Sequence, residues 1–202
     1  MKEKYIELFK THIKREGADK LLDWLLTTDF FTAPASTKFH NAKQGGLCEH
    51  SINMFNRLVS VLKKEYGEDW QQKCSIESAA IIGLLHDVCK VDYFIVEKKN
   101  VKVYKDSGSK FDSHGRFDWE EKEVYAVEDK LPYGHGEKSV YIISGFMKLT
   151  RNEAMAINWH MGAFDYRVKG GSYALSDVFY NYPVALLTHL ADIEATYLDE
   201  TR

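Results

Sequence analysis

A histidine and an aspartate stand side by side at the end of an apolar segment of this chain. The segment runs from Ala79 to Leu85 and continues directly into His86 and Asp87. Such a run predicts a buried helix, and burying an unpaired carboxylate at its end would be very costly. A bound cation would offset that cost, and a metal ion is the commonest cation in such a position.

Four more residues of the same chemical types lie elsewhere in the chain. His50 follows a glycine pair near the start of a predicted helix, and His135 lies between two glycines just ahead of another. His160 and Asp192 lie on later predicted helices. A lone histidine is more often structural than a ligand, so a metal site is predicted only because all six residues occur together. Imidazole and carboxylate groups bind borderline or hard divalent ions, and these six residues together could hold two ions.

The elements that must position these residues are mostly helical. The chain has only three prolines, and apolar residues recur at helical spacing between them. Ser75 is a predicted N-cap, Thr150 to Glu153 form a predicted capping box, and Pro183 suits the first turn of a final helix. Further helices are predicted over residues 47–66, 76–86 and 137–149. We therefore expect an all-α bundle with a small β-hairpin-like insertion around residues 93–131, where short β-prone runs occur.

Composition narrows the class of protein. The chain has 202 residues, 45% of them hydrophobic and 28% charged, which predicts an ordered fold with one core. Its 27 Lys and Arg against 30 Asp and Glu argue against a general nucleic-acid or membrane-surface binder. No stretch approaches the roughly 20 apolar residues that span a bilayer, so we expect a soluble, cytoplasmic protein. Three cysteines without a C-x-x-C pair predict neither a disulfide scaffold nor a thiolate zinc site.

Three short runs resemble the HD-domain metal-dependent phosphohydrolases. They are the Gly-Leu-x-Glu-His run that ends at His50, the His-Asp-x-x-Lys run that begins at His86, and the Leu-Ala-Asp run that ends at Asp192. The resemblance covers about residues 45–198, so we predict an HD domain over 45–202 and a helical N-terminal extension over 1–44. Cys89 replaces the usual glycine of the His-Asp run.

The runs around His135 and His160 are more narrowly similar to those of stand-alone bacterial and phage HD proteins. They are also similar to the HD half of certain 3'-5' exoribonucleases. Those nucleases carry an OB-fold ahead of the HD domain, whereas this chain has only a predicted helical stretch there. This difference argues against nuclease activity.

The resemblance implies a two-metal site. His50, His86, Asp87 and Asp192 would bind one divalent ion, His135 and His160 would bind a second, and Asp87 would bridge them. A metal-activated hydroxide would then attack a phosphate monoester or diester, with a nucleotide among the candidate substrates. These ligands accept manganese, iron, cobalt, nickel, zinc or magnesium, so the metal identity stays open.

Several residues near these runs are candidates for substrate contact or support. Lys90 could bind a phosphate oxygen or stabilise the transition state, and its alternative is a solvated lysine at a helix end. Lys138 and Arg167 could bind the rest of the substrate, but each is as readily a surface charge. His189 could orient the metal ligand one helical turn away, or serve as a core histidine. His114 could belong to a lid, although an exposed position is the simpler interpretation.

Two other functions use the same residues. A mixed-valence di-iron oxygenase branch of the same family shares this ligand set, so the ligands alone do not separate redox chemistry from hydrolysis. A non-catalytic nucleotide-binding module would keep the pocket without the reaction. The complete ligand set argues against the module, because a degenerate site would be expected to lose some of these residues. We expect a small phosphorylated substrate as the partner, and the sequence does not predict the oligomeric state.

Overall fold

The computed structural model of this chain describes residues 1–105 and 116–200, and it is mostly helical with one two-stranded sheet. The helices are α1 (Lys2–His12), α2 (Ala18–Thr27), α3 (Gly46–Tyr66), α4 (Trp70–Lys73), α5 (Ile76–Leu85), α6 (His135–Ser144), α7 (Arg151–Asn158), α8 (Tyr166–Lys169), α9 (Ala174–Asn181) and α10 (Pro183–Glu194). Short 3-10 turns cover Gly67–Asp69, Val88–Lys90 and Gly162–Phe164, and a π-helical turn covers Ala195–Asp199. His114, the lid candidate, lies outside the described residues.

The predicted helix starts are present. The Ser75 hydroxyl accepts a hydrogen bond from the Ser78 N–H at the start of α5, and both hydrogen bonds of the Thr150–Glu153 capping box are formed. Pro183 is the first residue of α10. The boundary predicted for the helix over 137–149 is wrong. The helix begins two residues earlier and ends at Ser144, because the chain there turns back in 3-10-type bonds before α7 begins.

The insertion is an antiparallel hairpin, as predicted. Strand β1 (Phe94–Tyr104) pairs with β2 (Phe117–Val127) in a register that sets Phe94 opposite Val127 and Tyr104 opposite Phe117. Most side chains of both strands are exposed or half-exposed. The hairpin therefore projects from the helices instead of adding a layer to their core.

One hydrophobic core includes the N-terminal helices as well as the helices that follow them. Tyr5 and Phe9 on α1 are fully buried in it, and the Tyr5 hydroxyl donates a hydrogen bond of 2.9 Å to the Leu84 carbonyl on α5. Helix α5 has apolar residues around its whole circumference and lies at the centre of the bundle. Among the described residues, no helix is both long and apolar enough to cross a membrane.

Two glycines let pairs of helices approach closely where the candidate ligands are carried. A Cβ atom on Gly83 would lie 2.5 Å from the Phe55 Cα, so only glycine lets α5 cross α3 at this distance. A Cβ atom on Gly136 would lie 2.3 Å from the Asn158 carbonyl oxygen, where α6 meets the end of α7. These contacts fix the distance of α5 from α3 and of α6 from α7.

A buried carboxylate ties the N-terminal region to the bundle. Glu153 on α7 accepts hydrogen bonds from Arg15, which lies between α1 and α2, and from Ser78 on α5. Burial raises the pKa of Glu153, but the Arg15 guanidinium and the Ser78 hydroxyl outweigh it and lower the pKa below its usual value. The ionised carboxylate thus holds together three segments that are distant in sequence.

Replacing Glu153 by Gln should lower the free energy of unfolding at neutral pH by about 1.5–3 kcal/mol, because charged hydrogen bonds are lost. The folded-state pKa of Glu153 is the lower one, so its contribution is full above the unfolded-state pKa of about 4.3 and is lost as the pH falls. Urea denaturation at neutral and acid pH should show a difference between wild type and variant that shrinks in acid. Glu68→Gln, at an exposed glutamate, should leave the free energy of unfolding almost unchanged at both pH values. If the difference between wild type and Glu153→Gln did not depend on pH, the ionised role of Glu153 would be contradicted.

Candidate metal centre

The end of α5 delivers His86 and Asp87 into the interior of the bundle. The helix stops at Leu85, and the chain continues in a 3-10 turn over Val88–Lys90. Both side chains are buried, with exposed fractions of 0% for His86 and 2% for Asp87. The apolar run therefore ends as expected, with a carboxylate inside the protein.

The two oxygens of the Asp87 carboxylate face different groups. Oδ1 lies 2.8 Å from the His135 Nε2 and 3.5 Å from the His160 Nε2. Oδ2 lies 3.6 Å from the Nε2 atoms of both His50 and His86. The carboxylate thus separates the histidines into two pairs.

Asp192 completes the cluster on the Oδ2 side. Its Oδ1 lies 3.2 Å from the His50 Nε2, which is itself 3.1 Å from the His86 Nε2. His50 is carried by α3 and Asp192 by α10, and these helices pack against each other. The buried cluster of His50, His86 and Asp87 could hold a metal ion, because its donor atoms lie within 4.8 Å of one another.

Hydrogen bonds to Nδ1 set the orientation of three of the histidines. The Nδ1–H groups of His86 and His160 donate to the carbonyls of Gly83 and Ile157, over 2.9 and 2.7 Å. The His50 Nδ1 lies 2.8 Å from the Oε1 atom of Glu200. Bonding Nδ1 in this way leaves Nε2 directed into the cluster, which is the usual arrangement of metal-binding histidines.

Glu200 is a supporting residue that the sequence analysis missed. Its side chain is fully buried, although it lies close to the end of the chain, and Asn53 donates a second hydrogen bond to its Oε1. It approaches His50 after the π-helical turn that follows α10. No local motif marks it, because its role depends on how that turn folds back onto α3.

An unpaired nitrogen tests whether the cluster suits a cation. The His160 Nε2 is buried and has no hydrogen-bond partner among the described residues, although it faces the Asp87 Oδ1. Leaving a buried polar atom unpaired costs about 1–3 kcal/mol. A divalent cation would pair with this lone pair and with the carboxylate together, so the donor set fits the metal that the sequence predicts.

Charges within the cluster shift its pKa values strongly. Burial raises the pKa of Asp87, but the Lys90 ammonium and the neighbouring histidines hold it well below its usual range. Burial lowers the pKa of His86 to about 3. Burial also opposes protonation of His50, but the carboxylates of Asp192 and Glu200 raise its pKa to about 10. With this raised pKa, His50 carries a proton on Nε2 when no metal is bound, and a bound cation would take the place of that proton.

A cavity of about 500 Å³ opens onto the cluster. Asp87, Asp192 and Lys90 line it, together with five histidines. Its walls are mostly apolar and include Phe39, Met161, Phe164, Ile193 and Tyr197, and Lys169 lies among them. The arrangement combines a polar base with an apolar approach.

Of the three predicted substrate contacts, the structure places Lys90 in the cavity but not Lys138 or Arg167. Lys90 lines the cavity, with its Nζ 2.6 Å from the Asp87 Oδ2.

Lys138 is buried and paired with Asp129. Arg167 is bound to Asp165 and Glu137 and stacks over Trp159. Neither Lys138 nor Arg167 lines the cavity, so the structure gives no support to their predicted substrate contacts.

His189 is bound to the backbone of His160 instead of the carboxylate of Asp192. Its Nδ1–H donates to the His160 carbonyl over 2.7 Å, and its ring lies against Gly162, where a Cβ atom would meet it at 2.4 Å. It also lines the cavity. His189 therefore supports the segment that carries His160.

Two basic side chains of the cavity were not expected there from the sequence. His40 is half-buried, and its ring centroid lies 5.0 Å from that of His50. Lys169 belongs to the short helix α8, next to Arg167. Neither belongs to a recognisable motif, so only the folded chain brings them to the site.

Compared with known proteins, the chain matches no family model, no curated protein and no solved structure. The function must therefore be inferred from the residues and their geometry.

Replacing Glu200 by Gln should weaken metal binding about 10–100-fold, as loss of a partner that orients a metal-binding histidine does. Binding can be measured by competition against a chromophoric chelator, after metal has been removed from the full chain. Glu194, a half-exposed glutamate that faces Arg57 instead, provides the control in the same substitution. Equal affinity in the Glu200 variant and wild type would remove Glu200 from the site.

Proposed function

We propose that this protein is a metal-dependent phosphohydrolase with an HD-type helical bundle, which hydrolyses a phosphate monoester or diester. The observation that carries the proposal is the separation of four histidines by the two oxygens of Asp87. This is the division that the resemblance to HD-domain phosphohydrolases implies, with Asp87 between two ions. Asp192 adds a second carboxylate on the side of His50.

Two divalent ions bound there would supply Lewis acidity and an activated water for attack on phosphorus. The protein's own part is to hold the six ligands in place. Four of them are buried to within 2% exposure, and the orientations of the three histidines among these are set by hydrogen bonds to backbone carbonyls and to Glu200. Such fixed donors need little rearrangement when charge develops during the reaction.

Lys90 is the candidate for contact with the substrate phosphate. Its ammonium compensates the Asp87 charge at 2.6 Å, and the carboxylate in turn raises the Lys90 pKa against the effect of burial. A divalent ion at the Asp87 Oδ2 would take over this compensation. The ammonium would then be available to a phosphate oxygen in the cavity that it lines.

The cavity favours a phosphate ester with a sizeable organic part. Its volume of about 500 Å³ lies within the range of small-molecule sites, and its walls are mostly apolar. Phe39, Phe164 and Tyr197 present aromatic surface against which a flat group could stack. A nucleotide is therefore a reasonable first substrate to test.

The central test is phosphate release from a panel of monoesters, diesters and nucleotides, using protein loaded with the metal that elemental analysis finds. Wild type should turn over at least one class of ester. Asp87→Ala should lose bound metal and activity together, because both halves of the site use this carboxylate. Asp177→Asn, which changes an exposed aspartate on α9, should retain both.

Three results would contradict the proposal. Retention of metal and activity by Asp87→Ala would exclude the assigned site. Turnover that consumes oxygen without releasing phosphate would identify the di-iron oxygenase chemistry instead. Tight nucleotide binding without turnover under any divalent metal would indicate a binding module.

Replacing Lys90 by Met should lower kcat about 10²–10³-fold, which is the usual effect of removing one group that stabilises transition-state charge. Metal content should not fall, because Lys90 competes with a cation for the Asp87 oxygen. Lys64→Met, at an exposed lysine on α3, is the matched control. A normal kcat in the Lys90 variant would show that the ammonium takes no part in the reaction.

A further inference from the structure

Cys89 lies beside the second pair of histidines. Its side chain is buried, and its Sγ lies 3.5 Å from the His135 Nδ1 and 3.6 Å from the Nε2 of the same ring. Because the sulfur is nearly equidistant from the two nitrogens, it lies against the ring between them and is directed at neither. The donor atoms of Asp87, Cys89 and His135 form a group in which all separations are within 4.8 Å.

A second observation points to a ligand on the same side of Asp87. The His160 Nε2 is buried, has no hydrogen-bond partner within residues 1–105 and 116–200, and faces the carboxylate oxygen to which His135 is bound. This nitrogen is independent of the cysteine, since it comes from the end of α7. Together the two elements place a sulfur and two imidazoles beside the Asp87 carboxylate.

We propose that Cys89 binds, as a thiolate, the ion held on the His135 side of Asp87. That half of the site would then take a thiophilic divalent ion, with Zn²⁺ as the expected one. The inference depends on the proposed function for the presence of a two-metal site. It goes beyond that function by assigning a fourth ligand and a metal preference.

The observed separations suit shared coordination. In a tetrahedral zinc site, bonds of about 2.3 Å to sulfur and about 2.0–2.1 Å to nitrogen set the two donor atoms about 3.5 Å apart. The Cys89 Sγ and His135 Nε2 are 3.6 Å apart, and the His160 Nε2 and Asp87 Oδ1 are 3.5 Å apart. The Cys89 N–H donates to the Ser139 hydroxyl over 3.2 Å, so the backbone is held while the thiol rotates about its single side-chain bond.

Coordination requires the thiol to lose its proton. The S–H bond breaks, the sulfur electron pair binds the ion, and the proton passes to solvent, so that metal binding releases one proton for this ligand. A thiolate favours zinc, iron or cobalt over magnesium. The absence of a C-x-x-C motif does not bear on this site, since its other ligands come from distant helices.

Cobalt(II) titration of the metal-stripped full chain tests the proposal, because cobalt bound to a thiolate shows a sulfur-to-metal charge-transfer band. Wild type should develop this near-ultraviolet band, along with the visible bands of bound cobalt. Cys89→Ser should lose the charge-transfer band and keep the visible bands. Cys74→Ser, at a buried cysteine away from the site, should keep both.

Affinity gives a second measurement. Chelator competition should show that Cys89→Ser weakens zinc binding in one site at least about tenfold, since even the partners of metal ligands contribute about that much. Manganese binding should be unchanged, because a hard ion gains little from sulfur. An equal loss for both ions would contradict the thiophilic assignment.

The outcomes separate this inference from the proposed function. If wild type binds two cobalt ions without a charge-transfer band, Cys89 is not a ligand and its thiol only packs on the His135 ring. The dinuclear site would remain supported in that case. No cobalt binding would overturn both. A charge-transfer band that depends on Cys89, in a protein that hydrolyses no phosphate ester, would support the ligand and remove the function.

Discussion

The buried carboxylate of Asp87 is the charge around which the site is organised. It lies at the end of the most apolar helix of the described chain, where an unpaired charge would be very costly. Lys90 and His86 compensate it from its own segment, and three more histidines approach it from α3, from α6 and from the turn after α7. The position of α5 in the core therefore decides where the ligands can meet.

Rigidity around this carboxylate comes from ordinary packing and backbone bonds. Gly83 sets the distance between α3 and α5, and Gly136 sets that between α6 and the end of α7. The N-terminal helices close the core from the other side through Tyr5 and through the ion pair of Arg15 with Glu153. A site built on such elements holds its donors in place before any ligand binds, which is what tight metal binding and electrostatic catalysis require.

Much of this arrangement follows from local sequence. Some signals act within a few residues, and the structure contains each of these: the helix caps at Ser75 and Thr150, the proline at the start of α10, and the apolar run of α5. All six predicted ligands lie together. Glu200 could not be found in this way, because it reaches His50 across 150 positions of sequence. The burial of Lys138 and its pairing with Asp129 likewise appear only in the folded chain.

The most direct test of the account is the anomalous scattering of crystals grown with cobalt(II). The account predicts two peaks on opposite sides of the Asp87 carboxylate, each about 2 Å from one of its oxygens, as expected for bonds to a transition metal. The peak on the Oδ2 side should be bound by His50, His86 and Asp192, and the other by His135 and His160. A single peak, or a carboxylate still paired with Lys90 and no metal, would contradict it.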